Sequence, residues 1–308
     1  MRIGVDLGGT KIEVAVLDEG DQMVLRERVA TPRHDYSAIC DAIAALVLDA
    51  ERTLGARATV GVAIPGAVSP ATGLVKNANT VCLIGNPLEA DLARRLARPV
   101  RLENDANCFV VSEAADGAAA GASSVFGVII GTGCGGGLCL NGKPLHGANG
   151  IAGEWGHNPV PWPRSGANPR PCYCGRTDCI ESYLCGPGLT LTYNELGPAQ
   201  CAKVESIAAA AVQGEAQASR ALAMHVDQLA YALGTIVNVF DPEVIVLGGG
   251  LSNLPGIAAE LVRRLPPYVF GPEFDSRVVI ARHGDSSGVR GAAWLWSKQE
   301  ASAVAGSG

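Results

Sequence analysis

The sequence predicts an α/β protein with two similar lobes facing a cleft, and three observations support this fold class. The chain has 308 residues, which is long for one compact core and natural for two α/β domains. Its first part shows the order β-β-β-α-β-α-β. A strand, a glycine turn and a second strand then occur twice along the chain, which is a weak repeat of architecture and not of sequence.

The elements of the first part follow from apolar periodicity and from breaker residues. Gly8-Gly9 separates the first two strands, and Asp35 can cap the first helix. A strand that ends at Pro65-Gly66 and a further helix and strand complete this part. The expected strands cover residues 3–7, 12–17, 24–29, 60–64 and 100–103, and the expected second helix covers 88–97.

The second part begins near residue 125 with a strand (VFGVII), a loop (GTGCGGG) and another strand (LCLN). Apolar residues at 3.6-residue spacing then predict a helix that ends at Asp241-Pro242, before a buried strand (VIVL). Residues 299–308 are small and polar, which predicts a frayed end. We place the N-terminal lobe at 1–113 and the C-terminal lobe at 114–308, with a last helix that could pack back on the first lobe.

Composition and charge exclude several classes of protein. Apolar residues make up 48% and charged residues 18%, so a large core can form and disorder is not expected. The net charge of -6 gives no nucleic-acid footprint. The start, MRIGVDLGGTK, is too short and too polar for a signal peptide. Residues 117–142 lack charge but contain nine glycines, so they indicate a strand, a loop and a strand rather than a membrane helix. We expect a cytoplasmic protein without membrane or nucleic-acid partners.

Two glycine turns are candidates for phosphate binding. In the first, DLGGTK, consecutive N–H groups can form an anion nest and Thr10 adds a hydroxyl, although an ordinary hairpin turn would use the same residues. Gly4 to Lys11 nearly matches a P-loop, but Thr and Lys stand in the wrong order and no helix follows. The second turn matches G-x-G-x-x-G, yet a strand rather than a helix follows, so we interpret it as a second phosphate hairpin.

A third glycine segment follows the buried strand VIVL, where the base or ribose of a nucleotide could lie. A helix-start turn with packing glycines is the alternative for this segment. The residues expected to bind the nucleotide are Gly4, Asp6, Gly8, Gly9, Thr10, Lys11, Gly131, Thr132, Gly133, Gly135, Gly136, Gly137, Gly248, Gly249 and Gly250.

Four residues have the spacing of a metal site. His157, Cys172, Cys174 and Cys179 form H-x14-C-x-C-x4-C, and a Cys3His set is a standard closed zinc site. Four of the ten cysteines lie within residues 172–185, and such clustering in a chain that lacks an export signal favours metal over disulfides. Free thiols, or one disulfide among them, are the alternatives.

Several carboxylates are candidates for acid–base work. Asn104 and Asp105 follow a short strand and open a helix, where either could be a simple N-cap. Glu154 and Glu181 stand beside the proposed zinc ligands, so folding of the metal site would also fix them in space. A sugar site needs several such carboxylates and amides to pair with hydroxyls.

These motifs together resemble the ROK family, which contains repressors, uncharacterised frames and sugar kinases. The matching stretches, in order, are DLGGTK, NDANC, IIGTGCGGG, GEWGH and CYCGRTDCIE, and the resemblance covers essentially the whole chain. Within the family the chain is most similar to bacterial fructokinases, also called mannokinases, through IPGAVSPATGLVKNAN, GEWGHNPVPW and RHGDSSGVRGAAWLW. Bacterial N-acetylglucosamine kinases share the metal and phosphate motifs but match these stretches less well.

The resemblance implies an actin-like (ribonuclease H-like) ATPase fold with two lobes around a central cleft. It implies ATP-dependent phosphorylation of a hexose at the 6-hydroxyl, with fructose as first choice and N-acetylglucosamine, mannose or glucose as alternatives. ATP, Mg²⁺, a structural Zn²⁺ and a homodimer are implied as well. Asp105 takes the place of the catalytic base. The residues in sugar-facing places are Gly66, Asn79, Asn104, Asp105, Glu154, His157 and Glu181.

Two departures and two rival functions remain. Glu103 stands where many relatives carry another residue, and residues 162–171 are shorter than in some relatives, which could alter sugar choice. A sugar-responsive repressor would need a helix-turn-helix domain, and a strand that begins at Ile3 leaves no room for one. A non-catalytic sugar-binding protein would need neither Asp105 nor two phosphate loops.

Overall fold

The computed structural model describes residues 1–163, 169–201 and 203–305, and these fall into two compact units. Unit one contains residues 1–120, 142–152 and 285–308, and unit two contains residues 121–141 and 153–284. The chain therefore returns twice to unit one after leaving it, whereas the sequence suggested one uninterrupted N-terminal lobe with only a last helix returning.

Unit one is built on a five-stranded sheet in the order β3-β2-β1-β4-β7, in which β1, β2 and β3 are antiparallel and β1, β4 and β7 are parallel. Its elements confirm the predicted β-β-β-α-β-α-β order, with a small β-hairpin added. They are β1 (Arg2–Leu7), β2 (Lys11–Leu17), β3 (Met23–Ala30), α1 (Tyr36–Leu54), β4 (Thr59–Ile64), β5 (Ala67–Val68), β6 (Val75–Lys76), α2 (Leu88–Leu96), β7 (Val100–Asn104), α3 (Asp105–Ala115), a short strand β10 (Lys143–Pro144), α9 (Ser287–Trp294) and α10 (Lys298–Ala305).

The first helix begins and ends where its sequence signals stand. The side chain of Asp35 accepts a hydrogen bond from the N–H of Ala38, which confirms the predicted N-cap. Gly55 ends α1 in the left-handed conformation that glycine adopts without strain. The buried face of α1, which includes Ile39, Ile43 and Val47, packs into the apolar core of unit one.

Helix α9 packs against the sheet at a distance that only glycine permits. A Cβ on Gly4, in the middle of β1, would lie 1.9 Å from the carbonyl oxygen of Val289. Gly4 is therefore a buried packing residue and not part of the phosphate turn in which the sequence analysis included it. Its lack of a side chain lets α9 pack on the sheet of unit one.

The end of the chain is more ordered than the sequence suggested. The prediction of a frayed segment is wrong for residues 299–305, which belong to α10, and residues 306–308 lie outside the described residues. Glu300 accepts hydrogen bonds from Arg101 at 2.5 and 3.2 Å, and Ala301 is buried. The ion pair with Arg101, 199 residues earlier in the chain, and the burial of Ala301 stabilise a helix that the small, polar composition of this segment does not predict.

Unit two contains a sheet in which four strands follow the order β9-β8-β11-β12, with β8, β11 and β12 parallel and β9 antiparallel to β8. The helix predicted from the 3.6-residue spacing is α7, and it ends at Asp241, before Pro242, as expected. The elements are β8 (Ser124–Ile130), β9 (Cys134–Leu140), α4 (Glu181–Leu184), α5 (Gly186–Leu196), α6 (Val204–Val212), α7 (Ala216–Phe240), β11 (Val244–Gly248), α8 (Ile257–Arg264) and β12 (Arg277–Ile280).

The predicted loop over residues 131–137 is wrong in its second half. Strand β9 begins at Cys134, and Gly135 to Gly137 pair in register with Ile129 to Gly127 of β8. The ring of Trp155 would lie 2.8 Å from a Cβ on Gly136 and donates a hydrogen bond to the carbonyl of Gly135. The glycines thus leave room for an indole on the sheet, which hydrophobic alternation along the strand does not reveal.

In the part of the chain that the structure describes, no helix is both long and apolar enough to cross a membrane.

Candidate active site

The first glycine turn is a tight hairpin between β1 and β2. The N–H of Gly8 donates to the carbonyl of Lys11 at 3.0 Å and closes the turn, so this N–H is not available to a phosphate. Gly9 and Thr10 are exposed at its tip. Lys11 lies 3.7 Å from the carboxylate of Glu13. Of the residues expected here, Gly9 and Thr10 therefore present the backbone groups that an anion could reach.

Asp6 lies at the end of β1, beside this turn. The pKa of the Asp6 carboxyl is raised to about 6. Burial is the larger cause, and the negative charge of Asp105 is the next. The two carboxylates thus lie close enough to repel each other within unit one. Such a pair attracts a divalent cation, because the cation removes the repulsion that the fold imposes.

The residues expected to face a sugar from unit one lie around the end of β7. Asn104 caps α3, because its side-chain oxygen accepts from the N–H groups of Ala106 and Asn107 at 2.9 and 3.2 Å. Its amide nitrogen donates to the carbonyl of Gly66 at 3.0 Å. Asn104 can therefore be both an N-cap and a sugar-facing residue, because the cap uses its side-chain oxygen and the amide nitrogen has a different partner.

Asp105 and Asn79 complete this group in unit one. Asp105 is the first residue of α3 and is exposed, with one carboxylate oxygen 2.9 Å from the N–H of Ala106. Asn79 is also exposed, and its backbone N–H donates to the carbonyl of Pro65, next to Gly66. The structure thus brings Gly66, Asn79, Asn104 and Asp105 into one hydrogen-bonded region.

A buried glutamate beneath Asn104 has a role that the sequence analysis missed. Glu103 accepts hydrogen bonds from the backbone N–H of Asn104 and the side chain of Asn107, at 2.8 and 2.9 Å. Its other oxygen pairs with His146, and this hydrogen bond raises the pKa of the histidine. The residue noted only as a departure before NDAN therefore supports the backbone that carries Asn104 and Asp105.

The second glycine turn joins β8 to β9 in unit two. The N–H of Gly131 donates to the carbonyl of Gly133 at 2.9 Å, and the carbonyl of Gly131 accepts from Gly186 at 2.7 Å. Thr132 is exposed at the tip. The second turn thus resembles the first. In each of them a glycine N–H closes the hairpin, and a threonine is exposed at the tip.

The third glycine segment borders a cavity of about 860 Å³ in unit two. Gly250 lines it together with Gly131 and Thr132, residues at the start of α5 and residues 203–205. Gly248 is instead buried within β11, and Gly249 has a positive φ of 80° that turns the chain towards a short 3₁₀ helix. A volume of this size suits a nucleoside.

The four proposed metal ligands lie together in unit two. Their ligand atoms all lie within 4.8 Å of one another. Nδ1 of His157 is 3.5 Å from Sγ of Cys172, and Sγ of Cys174 is 3.6 Å from Sγ of Cys179. A tetrahedral zinc with Zn–S bonds of about 2.3 Å holds two sulfurs about 3.8 Å apart, so these separations fit zinc. They are too long for a disulfide, and the three cysteines of the cluster are free.

Short backbone bonds build the loop that carries the cysteines. The N–H of Cys172 donates to Arg176 at 2.8 Å, and the N–H of Gly175 donates to Cys172 at 3.0 Å. Hydrogen bonding from the backbone of Arg176 lowers the pKa of Cys174 to about 6, while burial raises the pKa of Cys179 to about 12. One thiolate and one thiol are the expected state of this pair without metal, and zinc binding displaces the remaining proton.

The expected sugar-facing residues of unit two surround this loop. Glu181 is the first residue of α4, and one of its oxygens accepts from the N–H of Cys134 at 2.9 Å. The other lies 4.0 Å from Sγ of Cys172. Glu154 is exposed and lies 4.0 Å from Nε2 of His157. Both carboxylates therefore lie beside the proposed metal ligands, and that folding of the metal loop fixes them in space stays a prediction. Residues 164–168, within the loop expected to tune sugar choice, lie outside the described residues.

Two further features of the site escaped the sequence analysis. Tyr173 stands between two proposed metal ligands, and its hydroxyl lies 2.9 Å from Nε2 of His157. The cavity lining from Gly186, Asn194 and Lys203 carries no motif. A bulky aromatic residue inside a tight metal loop and the Gly186-Pro187-Gly188 run were the signals that could have indicated them.

Comparisons with known proteins assign the chain to a family. A family model described as the ROK family matches residues 2–299. The N-acetyl-D-glucosamine kinase of Escherichia coli O127:H6 (strain E2348/69 / EPEC) is 44% identical over 305 residues, which is 96% of this chain and 99% of the relative. The N-acetyl-D-glucosamine kinase of Shigella boydii serotype 4 (strain Sb227) is also 44% identical, with the same coverage.

Solved structures agree with this assignment. The ROK hexokinase from Thermus thermophilus is 31% identical, with a TM-score of 0.83 over 100% of this chain and 99% of that chain. A ROK family glucokinase from Streptomyces griseus, in complex with glucose and AMPPNP, is 29% identical, with a TM-score of 0.75 over 96% of this chain and 98% of that chain. The fold is the actin-like α/β fold that the sequence predicts, and the chain belongs to the ROK family.

Proposed function

We propose that this chain is an ATP-dependent sugar kinase that phosphorylates N-acetylglucosamine at the 6-hydroxyl. The observation that carries the choice of sugar is the 44% identity, over 96% of the chain, to N-acetyl-D-glucosamine kinases. These relatives support the alternative of the sequence analysis better than fructose, its first choice. Similarity in the three stretches that suggested a fructokinase does not by itself fix the few contacts that select a sugar.

Asp105 is the proposed general base. It is exposed at the start of α3 while its neighbour Asn104 fixes the helix end through the capping bonds. We propose that its carboxylate accepts the proton of the 6-hydroxyl as that oxygen attacks the γ-phosphorus in line. The nearby Asp6 raises the density of negative charge in unit one, which favours Mg²⁺ bound with the nucleotide.

The glycine turns are the proposed phosphate-binding elements. Because Gly8 and Gly131 use their own N–H groups to close the turns, we assign the phosphate contacts to Gly9 and Thr10 in unit one and to Thr132 and Gly133 in unit two. The cavity beside Gly250 is the proposed place for the adenosine part of ATP. Exposed threonine hydroxyls and backbone amides can bind a triphosphate without a basic surface, which suits the acidic chain.

Zinc is the proposed resident metal of the loop formed by His157, Cys172, Cys174 and Cys179. Zinc would supply a fixed link between the segment that carries Glu154 and the segment that carries Glu181, and it would take no part in the chemistry. Glu154, His157 and Glu181 would then bind sugar hydroxyls. A homodimer remains a prediction from the family resemblance.

A panel of sugars tests this proposal. We expect a coupled ADP assay to give the highest kcat/KM with N-acetylglucosamine, with glucose second because two structural relatives are a hexokinase and a glucokinase. Fructose and mannose complete the panel. A preference for fructose would restore the fructokinase interpretation, and an absence of ADP with every hexose would contradict the kinase assignment.

The Asp105→Asn variant tests the proposed base. We expect kcat to fall by about 10²- to 10⁴-fold, the usual loss when a general base is removed, with much less change in sugar affinity. The Asp41→Asn variant is the matched control, because Asp41 is an exposed carboxylate on α1. A variant at position 105 that retains most of its turnover would assign the proton to another group.

A further inference from the structure

Tyr173 is an exposed aromatic residue inside the metal loop. Its side chain stands between Cys172 and Cys174 in sequence and is 75% exposed. Its ring meets the ring of His157 edge to face, with the centroids 5.0 Å apart. The Tyr173 hydroxyl lies 2.9 Å from Nε2 of His157. An exposed tyrosine thus bonds to the partly buried His157 of the candidate site.

The two nitrogens of His157 face different neighbours. Nδ1 points to the ligand cluster, 3.5 Å from Sγ of Cys172, whereas Nε2 faces the Tyr173 hydroxyl and, at 4.0 Å, the carboxylate of Glu154. A neutral imidazole that binds metal through one nitrogen carries its proton on the other. With metal bound, Nε2–H therefore donates and the Tyr173 oxygen accepts.

Once Nδ1 holds the metal, Nε2–H is the ring group of His157 that can still bind a sugar. It has one proton and makes one good hydrogen bond, so a sugar oxygen must take the place of the Tyr173 oxygen. We propose that the Tyr173 hydroxyl occupies the position of one substrate hydroxyl on His157 and that the sugar displaces it on binding. This inference rests on the proposed sugar-kinase function.

Displacement has two consequences for the choice of substrate. A sugar that bonds to Nε2–H only replaces an existing hydrogen bond, so Tyr173 weakens its binding. A sugar that lacks that hydroxyl leaves the bond between Tyr173 and His157 intact, so Nε2–H keeps its hydrogen-bond partner. Tyr173 therefore lowers affinity for the full substrate and broadens acceptance of analogues, which makes it a specificity-determining residue.

Calorimetric titration without ATP tests the proposal on the full chain with its zinc. The probes are N-acetylglucosamine and glucose, and the variant is Tyr173→Phe, which keeps the ring and removes only the hydroxyl. We expect about three- to tenfold tighter sugar binding than in the wild type, the ratio that corresponds to one net hydrogen bond. Tyr231→Phe is the control, because Tyr231 lies in α7 and stacks on Tyr268 rather than on a residue of the proposed site, and it should leave affinity unchanged.

Monodeoxy analogues of the sugar sharpen the test. The gain in affinity should persist for every analogue except the one that lacks the hydroxyl bound by His157, and for that analogue wild type and Tyr173→Phe should bind equally. Zinc content, measured by inductively coupled plasma mass spectrometry, should not change in either variant.

Each other outcome has a definite meaning. Weaker binding in Tyr173→Phe would make Tyr173 a direct sugar contact, and loss of zinc would make it a support for the metal ligand; either result overturns the displacement. Equal affinity for all sugars would overturn it while leaving the proposed function intact. If the wild type binds no hexose at all, the proposed function fails, and the displacement fails with it.

Discussion

The carboxylate of Glu181 accepts a hydrogen bond from the backbone N–H of Cys134 at 2.9 Å. This bond joins the residue after the second glycine turn to the residue that follows the metal loop. The preceding Gly133 leaves the space that the carboxylate fills, because a Cβ there would lie 2.8 Å from Oε2 of Glu181. The proposed phosphate turn and the proposed sugar-binding carboxylate are therefore one packed arrangement within unit two.

Gly133→Ala should disturb sugar binding through Glu181. The added methyl group pushes the carboxylate away from the N–H of Cys134, which removes about one net hydrogen bond. We expect the KM for the sugar to rise about five- to tenfold, with a smaller change in the KM for ATP. Steady-state kinetics with each substrate varied in turn will measure both.

Gly135→Ala is the matched control for this change. It lies two residues further along β9, and no atom lies within 4 Å of a Cβ added there. We expect near wild-type constants for Gly135→Ala. If both variants lose sugar affinity equally, the effect belongs to the glycine strand in general and not to Glu181.

We expect Asp6 to lower the stability of the folded protein while it supports activity. Its carboxyl has a pKa of about 6 in the folded protein, above the ordinary value of 3.8, because of burial and of Asp105. A raised carboxyl pKa means that the folded state binds this proton more tightly, so the stability contribution is present at low pH and is lost as the pH rises from about 4 to 6. Above pH 6 the charged Asp6 destabilises the fold.

Asp6→Asn should therefore raise the free energy of unfolding at pH 7.5 by about 1 to 2 kcal/mol while lowering kcat. Urea denaturation of both proteins at pH 4.5 and pH 7.5 measures the first effect, and the difference between them should be larger at pH 7.5. The kinase assay at saturating Mg²⁺ measures the second. A destabilised Asp6→Asn protein with normal kcat would contradict both the repulsion and the role near the nucleotide.

The sequence predicted most elements of the fold because their signals are local. Asp35 caps α1 through its own side chain, and Asp241 ends α7 in the left-handed conformation. The errors have distant causes. Strand β9 depends on Trp155 packing over Gly136, and α10 depends on Arg101 binding Glu300. Neither contact can be read from a window of a dozen residues.

The candidate site likewise has features that the sequence predicted and features that it could not predict. The spacing of His157, Cys172, Cys174 and Cys179 predicted a cluster that the structure brings together, because metal loops are short and their ligands are close in sequence. The Nε2 of His157, which Tyr173 covers, depends on the direction of a side chain, and spacing carries no such information. The choice of sugar depends on contacts of this kind, and the first choice, fructose, was not the one that the relatives support.

Loss of one metal ligand should release zinc and loosen the loop. Cys179→Ser removes a buried sulfur from the cluster, and a structural site with three remaining protein ligands binds zinc much more weakly. We expect zinc, measured by mass spectrometry, to fall from about one per chain to a small fraction, with a lower melting temperature.

Cys82→Ser is the control for this change, because Cys82 is half-buried in unit one and lies outside the cluster. It should keep the zinc content and melting temperature of the wild type. A Cys179→Ser protein that retains its zinc would exclude Cys179 as a ligand.

His225 should make the protein sensitive to acid. It is buried in α7, and neither ring nitrogen has a hydrogen-bond partner among the described residues. Burial lowers the pKa of His225 to about 4, below the ordinary value of 6.5. Below pH 6.5 the imidazole of His225 is protonated in the unfolded chain while it stays neutral in the folded chain. Stability is therefore lost as the pH falls from about 6.5 towards 4.

At pH 5 this difference corresponds to about 2 kcal/mol of stability relative to pH 7.5. His225→Leu removes the titrating group and should reduce the acid sensitivity by about that amount, whereas His34→Gln, at an exposed position, should leave it unchanged. Urea denaturation at the two pH values measures the effect. If His225→Leu loses as much stability between pH 7.5 and pH 5 as the wild type, the neutral buried imidazole is not the cause, and the carboxylate ion pairs of the two units would have to account for the acid response.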